Sequence, residues 1–159
     1  MKLSLICLFL FVSCASQDVY KWPSRNITYS IDAIHLKGVD VMRANIVIHR
    51  AFKAWEDTEG VKFKHVMHGD IKVSMKDLQG DLIGFGYFPS DGRLHLDSSD
   101  RTWTEDLLYR VTLHEIAHCL GITHSYNKNS VVYHRITSND KITYWDKRKV
   151  QLLYLTNNK

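Results

Sequence analysis

The sequence predicts one mixed α/β (α+β) domain in which short strands and three helices share a single core. Three observations lead there. The 159 residues, less an apolar leader of 15, leave 144, a length suited to one domain. Period-two runs alternate with period-3.6 runs in the order strand, helix, strands, helix, irregular segment, helix. With 45% hydrophobic and 24% charged residues, two prolines and no repeat, the composition excludes disorder and collagen-like structure.

Residues 1–15 read as a secretory signal. Lys2 supplies the positive start, Leu3 to Val12 is apolar apart from Ser4, and Ser13-Cys14-Ala15 offers small residues for cleavage. The run is too short to span a bilayer, so a secreted domain of residues 16–159 is expected. Phe11-Val12-Ser13-Cys14 gives a weaker alternative, a bacterial-type lipobox that would lipidate Cys14, although Phe opens such a motif poorly. Of the three cysteines only Cys119 lies beyond the leader, which excludes an internal disulfide. Asn26-Ile27-Thr28 is a glycosylation sequon. The net charge of +4 falls to +3 when Lys2 is removed, and the basic residues are dispersed except for Lys147-Arg148-Lys149. That pattern argues against a nucleic-acid partner.

Alternation at Ile27, Tyr29 and Ile31, at Val61, Phe63 and His65, at Ile71, Val73 and Met75, and at Leu94 and Leu96 marks half-buried strands. Between the first two, Val41, Ala44, Ile48, Ala51, Phe52 and Trp55 recur at three and four, which predicts an amphipathic helix ending before Gly60. A second helix is predicted to start at Thr104, whose hydroxyl can cap free N–H groups, and to run to Leu120, stopping at Gly121. Thr143-x-x-Asp146 resembles a capping box and opens a third helix that buries Val150, Leu153 and Tyr154.

The chemistry sits at the end of the second helix. Residues 114–124 read HEIAHCLGITH, the pattern HExxHxxGxxH. On a helix His114 and His118 lie one turn apart, about 6 Å along the axis, so both imidazoles leave the same face and can share an ion. Gly121 can adopt the left-handed conformation that ends the helix and bring His124 up as a third ligand. Three neutral imidazoles leave one tetrahedral position for water, the mark of a catalytic zinc site, since structural sites use four protein ligands. Such an ion lowers the pKa of bound water toward about 7. Glu115 is then the candidate general base for hydrolysis of a peptide bond without a covalent intermediate. The spaced glycine and third histidine cut the chance frequency of the motif by about a thousandfold, so a metal-free histidine cluster is a poor explanation.

This long motif is that of the metzincin clan, and Ser125 after His124 resembles the matrix metalloproteinase (matrixin) branch. Lys21-Trp22 with Ile27-Thr28-Tyr29, Asp70-Ile71-Lys72-Val73, Leu94-His95-Leu96-Asp97 with Trp103-Thr104, and Val150-Gln151-Leu152-Leu153-Tyr154 resemble other stretches of that catalytic domain. The resemblance covers most of residues 20–155. It implies a twisted, mostly parallel five-stranded mixed sheet with three helices, and an active-site cleft between a larger upper and a small lower subdomain. It also implies a monomeric secreted endopeptidase acting on extracellular matrix-type proteins and open to protein metalloprotease inhibitors. From the same resemblance, Ile83 and Gly84 are candidates to pair with an extended peptide, Arg110 to limit the S1′ pocket, and His134 and Ile136 to line its wall. No propeptide, cysteine switch or hemopexin-like module is read, so a minimal form is expected.

Several positions depart from the family pattern. Val132 takes the place of the turn methionine, which predicts a repacked base beneath the zinc. His134-Arg135-Ile136 replaces the Pro-x-Tyr wall. The segment between Met75 and Pro89 is too short for the family's calcium loop, only His95 matches a structural-zinc ligand, and Phe85 stands where a second histidine would be. One zinc, the catalytic one, is expected. Asp97 and Asp100 are candidate Ca2+ ligands, but surface carboxylates capping the next helix is the preferred reading. Cys119 should be a small packed side chain facing away from the ligands. The rival from another class is an inactive secreted decoy that holds inhibitors or peptides in the cleft, motivated by Val132 and the altered wall. A decoy need not keep Glu115 together with all three ligands.

Overall fold

The computed structural model describes residues 20–156. The reading of residues 1–15 as a leader, including Cys7 and Cys14, lies outside the described residues. Five strands, β1 (Asn26–Ile31), β2 (Lys62–His65), β3 (Ile71–Lys76), β4 (Gly84–Gly86) and β5 (Arg93–Asp97), form one sheet in the order β2-β1-β3-β5-β4. The pairs β1–β2, β1–β3 and β3–β5 are parallel, and β4 runs antiparallel on the outer side of β5. The helices are α1 (Val41–Glu56), α2 (Glu105–Cys119) and α3 (Tyr144–Leu155). The three helices are those the sequence pattern predicts, and the five-stranded mixed sheet is the one the family resemblance implies.

Burial follows position in the sheet. Val73, Leu94 and Leu96 on the inner strands are wholly buried, whereas β2, at an edge, exposes Lys62, Lys64 and His65. The alternation through His65 therefore overstates its burial, because a strand with one neighbour has less to pack against.

Helix α1 starts at Asp40, whose carboxylate accepts from the Arg43 amide at 3.0 Å. Its buried stripe is Ala44, Val47, Ile48, Ala51, Phe52 and Trp55. Val41, expected in that stripe, is 40% exposed, because it occupies the first turn beyond the edge of the core. Thr104 caps α2 by accepting from Leu107 N at 3.1 Å. From Val111 to Cys119 every residue of α2 is buried, which explains its weak amphipathic pattern: a helix enclosed on all sides has no polar face.

The tryptophan indoles tie these elements together. Trp55 Nε1 donates to Leu113 O at 2.9 Å, joining α1 to α2, Trp22 donates to Cys119 O at 2.8 Å, and Trp103 donates to Asp97 O at 3.1 Å. Each ring buries its apolar body without stranding its N–H. The segment at 21–22 also bridges two helix ends: Trp22 N donates to the Tyr154 hydroxyl at 3.3 Å, that hydroxyl donates to Leu120 O at 2.9 Å, and Lys21 Nζ donates to Leu153 O at 3.1 Å. Of the residues expected to be buried on α3, Val150 is fully so, while Leu153 and Tyr154 are half-buried against the core.

Candidate metal centre and cleft

Helix α2 carries His114 and His118 on its cleft side and is capped by Leu120. Gly121, at φ +91°, donates to His118 O at 2.8 Å, and Ile122 N donates to Ala117 O at 2.9 Å. This paired C-terminal cap reverses the chain. A Cβ on residue 121 would also strike the Tyr20 carbonyl, so glycine is required twice over. The reversal brings His124 to the two helical histidines.

The three Nε2 atoms converge. His118 Nε2 lies 3.1 Å from His114 Nε2 and 3.2 Å from His124 Nε2. The first of those contacts is not a hydrogen bond. His114 Nδ1 sits 2.8 Å from Val131 O and His118 Nδ1 2.8 Å from Ile122 O. A carbonyl only accepts, so both Nδ1 atoms carry the proton and both Nε2 atoms present lone pairs to each other. Facing lone pairs repel each other, and a cation between them would relieve that repulsion. Tetrahedral Zn–N bonds of about 2.0–2.1 Å place ligand nitrogens roughly 3.3 Å apart, which the observed spacing matches. Among the described residues, this trio is the one group of three or more metal-ligating side chains brought together. Burial holds the His114 and His118 imidazoles down at about 4, and His124, more exposed, is lowered too, first by desolvation and then by nearby His134. All three are therefore neutral at pH 7, as ligation demands.

Glu115 is buried in the cleft wall, and its Oε2 accepts from Gly86 N at 2.7 Å. Desolvation raises its pKa to about 7, against the lowering effect of that hydrogen bond. The glycines of β4 make the contact. A Cβ at Gly84 would fall 2.6 Å from Val111 Cγ1 and 3.0 Å from Glu115 Oε1, and one at Gly86 2.4 Å from Glu115 O. The bare backbone of Gly84, expected to admit a peptide, is thus first of all a seat for α2 and Glu115.

The cleft is a cavity of about 760 Å³ lined on one side by Leu82, Ile83, Gly84 and Phe88, and on the other by His134, Arg135 and Ile136. Ile83, Gly84, His134 and Ile136 thus line the same cavity as His114, His118 and His124. The carbonyl of Ile83, expected to pair with a peptide, is instead taken up by the sheet: it accepts from Asp97 N at 3.1 Å. Alternation along β4 turns the backbone groups of Gly84 and Gly86 away from β5, and of these Gly86 N is already taken by Glu115. Arg110 falls outside this lining. Its guanidinium donates to Asp106 O at 3.2 Å and Thr137 O at 2.6 Å, so it fastens the lower segment instead of facing the cavity.

Asp97 is not the surface carboxylate expected of it. It is fully buried and accepts from Leu78 N at 3.1 Å, Ser99 N at 3.2 Å, Ser99 Oγ at 2.5 Å and Arg101 Nε at 3.3 Å. Desolvation opposes ionisation, yet these donors hold its pKa below the usual carboxylate value. Neither does it cap α2, a role that belongs to Thr104. On β5, His95 Nδ1 lies 2.9 Å from Ser74 Oγ and the ring stands edge-on to Tyr87, with Phe85 as its cross-strand partner. Cys119 is wholly buried, in keeping with its reading as a packed side chain.

Three contributors were missed in the sequence. Val131 O and Ile122 O orient ligands through backbone atoms, which leave no residue signature. The third is Asp146. Beyond its capping box with Thr143, this wholly buried carboxylate accepts from Ser130 Oγ at 2.5 Å and Val131 N at 3.2 Å. It thereby fixes the turn whose carbonyl holds His114. Val132, in the methionine position, is fully buried in that turn, and its carbonyl accepts from Ser125 N at 2.8 Å.

A matrixin family profile matches residues 21–155. The chain belongs to the matrixin family. Matrixin relatives include stromelysin-1 of Rattus norvegicus, 32% identical over 71% of this chain and 27% of the relative. The hatching enzyme of Paracentrotus lividus is 33% identical over 69% and 22%, and matrix metalloproteinase-15 of Homo sapiens 27% identical over 86% and 25%. The chain thus spans about a quarter of the length of the curated relatives it matches. Membership in this family of zinc metallopeptidases agrees with the histidine trio. No helix among the described residues is long and apolar enough to cross a membrane.

Proposed function

We propose that this matrixin domain is a secreted endopeptidase holding one zinc on His114, His118 and His124, with Glu115 as general base and extracellular matrix-type proteins as substrates. The observation that carries the reading is the convergence of three Nε2 atoms beside a buried carboxylate in an open cleft. Zinc bound there supplies Lewis acidity toward water and toward the scissile carbonyl. Because Glu115 Oε2 is committed to Gly86, Oε1 takes the proton of the attacking water and passes it to the leaving amine. An extended peptide pairs with the outward backbone groups of Gly84, and the side chain after the scissile bond enters beside His134 and Ile136. Inhibitor proteins would occupy the same cleft, and one copy of the chain suffices for the site.

The second reading, a decoy that binds without turnover, is favoured by Val132 and the replaced wall. A peptide-cleavage assay on the zinc-loaded protein separates the two. Turnover that Glu115→Ala lowers by about 10²–10⁴-fold, with zinc content unchanged, supports the protease. Tight binding of a hydroxamate inhibitor with no turnover by the unaltered chain establishes the decoy.

A further inference from the structure

Helix α3 turns toward solvent a face that neither the core nor the cleft uses. Tyr144 and Trp145 are each 66% exposed and stand edge to face at 5.2 Å, and Leu152 and Leu155 are 52% and 42% exposed. Trp145, Leu152 and Leu155 recur at helical spacing, with exposed Arg148 and half-buried Lys149 among them. The one carboxylate of the helix, Asp146, is wholly buried and turned inward. Lys147 is paired with Glu59 at 3.4 Å, whereas Arg148 meets only the neutral Gln151. Beside this face lies a groove of about 440 Å³ whose apolar lining, Ile122, Leu152 and Leu153, is combined with Lys21 and Lys149. Thr123 lines both this groove and the catalytic cleft.

We propose that the outer face of α3 and its adjoining groove dock the protein onto bilayers rich in anionic phospholipid. A soluble polyanion would be matched by the cations alone. Large apolar side chains held in water beside those cations match an amphiphile, whose headgroup meets Arg148, Lys149 and Lys21 while Trp145 and Leu152 enter the interfacial layer. The sharing of Thr123 places the cleft next to the docked face, so proteins at that surface are presented to it. The docking itself does not depend on hydrolysis.

Trp145 provides the test, because Trp22, Trp55 and Trp103 are buried and only the fourth tryptophan meets solvent. The protein without its leader, residues 16–159, is mixed with vesicles of phosphatidylcholine, or of phosphatidylcholine with about 30% phosphatidylserine, and followed by flotation and tryptophan emission. Flotation and a blue shift with the anionic vesicles alone are expected. The shift should vanish in Trp145→Phe, and Arg148→Gln with Lys149→Gln should weaken partitioning roughly thirtyfold, two surface charges' worth. These charge variants should cleave soluble peptide as the parent does. Unchanged flotation of the double variant would overturn the proposal. So would unshifted Trp145 emission on anionic vesicles together with tight binding to dextran sulfate, which would assign the face to a soluble polyanion.

Discussion

The two walls of the cleft are built in opposite ways. The upper wall is a strand, β4, held by ladder hydrogen bonds to β5 and seated on α2 through two glycines. The lower wall, residues 122–143, has no helix or named strand and depends on a few hydrogen bonds: Asp146 to Ser130 and Val131, Ser125 to Val132, and Arg110 to Thr137. A ladder shares its load among many equivalent bonds. An irregular segment concentrates it on single residues, and here one of those residues also fixes the turn that holds His114.

Asp146→Ala should therefore have the largest structural effect. Ser130 Oγ and Val131 N would lose their buried acceptor, at a cost of about 3 kcal/mol or more. With Val131 O displaced from His114, zinc affinity should fall about 10–100-fold. Urea unfolding and competition with a zinc chelator measure the two losses, and a variant that keeps parental zinc affinity would break the proposed link from Asp146 to His114. On the upper wall, Gly86→Ala forces a Cβ against the Glu115 carbonyl and should cost roughly 1–3 kcal/mol. It should lower peptide turnover while sparing zinc affinity, because the displaced residue is not a ligand.

Acid should separate the centre's two kinds of titrating group in the metal-free protein. His114 and His118, held at about 4, contribute stability that is complete above their unfolded value near 6.5 and lost as pH falls toward 4. Glu115, raised to about 7, acts oppositely: its contribution is present below about 4.5 and lost as pH rises through 7. Between about 4.5 and 6.5 two histidines oppose one carboxyl, so stability should rise with pH by roughly 1 kcal/mol per unit. In Glu115→Gln the slope should be steeper, which a series of denaturation curves would reveal. The smallest expected effect is that of Arg110→Ala, about 1 kcal/mol from the lost bonds to Thr137 and Asp106, with peptide preference unchanged. An altered preference at the S1′ position would return Arg110 to the pocket.

What the sequence revealed divides along the same line. Helix α1 and strands β1, β3 and β5 show their periodicity locally, α2 and α3 show their capping residues, and the histidine trio is legible because eleven consecutive residues hold all three imidazoles. Glu115 is legible for the same reason, but its partner Gly86 is 29 residues away and contributes only an amide. Asp97 and Asp146 look alike on the page, as polar residues near helix starts. Only the packed fold shows that each is buried among donors, because that burial is created by segments distant in the chain. Gly84 carries a real signal of close approach, yet a sequence cannot say which neighbour approaches.

The bridge from Trp22 through the Tyr154 hydroxyl to Leu120 links the end of α3 to the turn that presents His118 and His124. Unwinding of the last helical turn therefore withdraws an anchor from the ligand-bearing loop. Metal release and loss of the terminal helix should appear as one cooperative event on heating, with the tyrosine as the coupling between them.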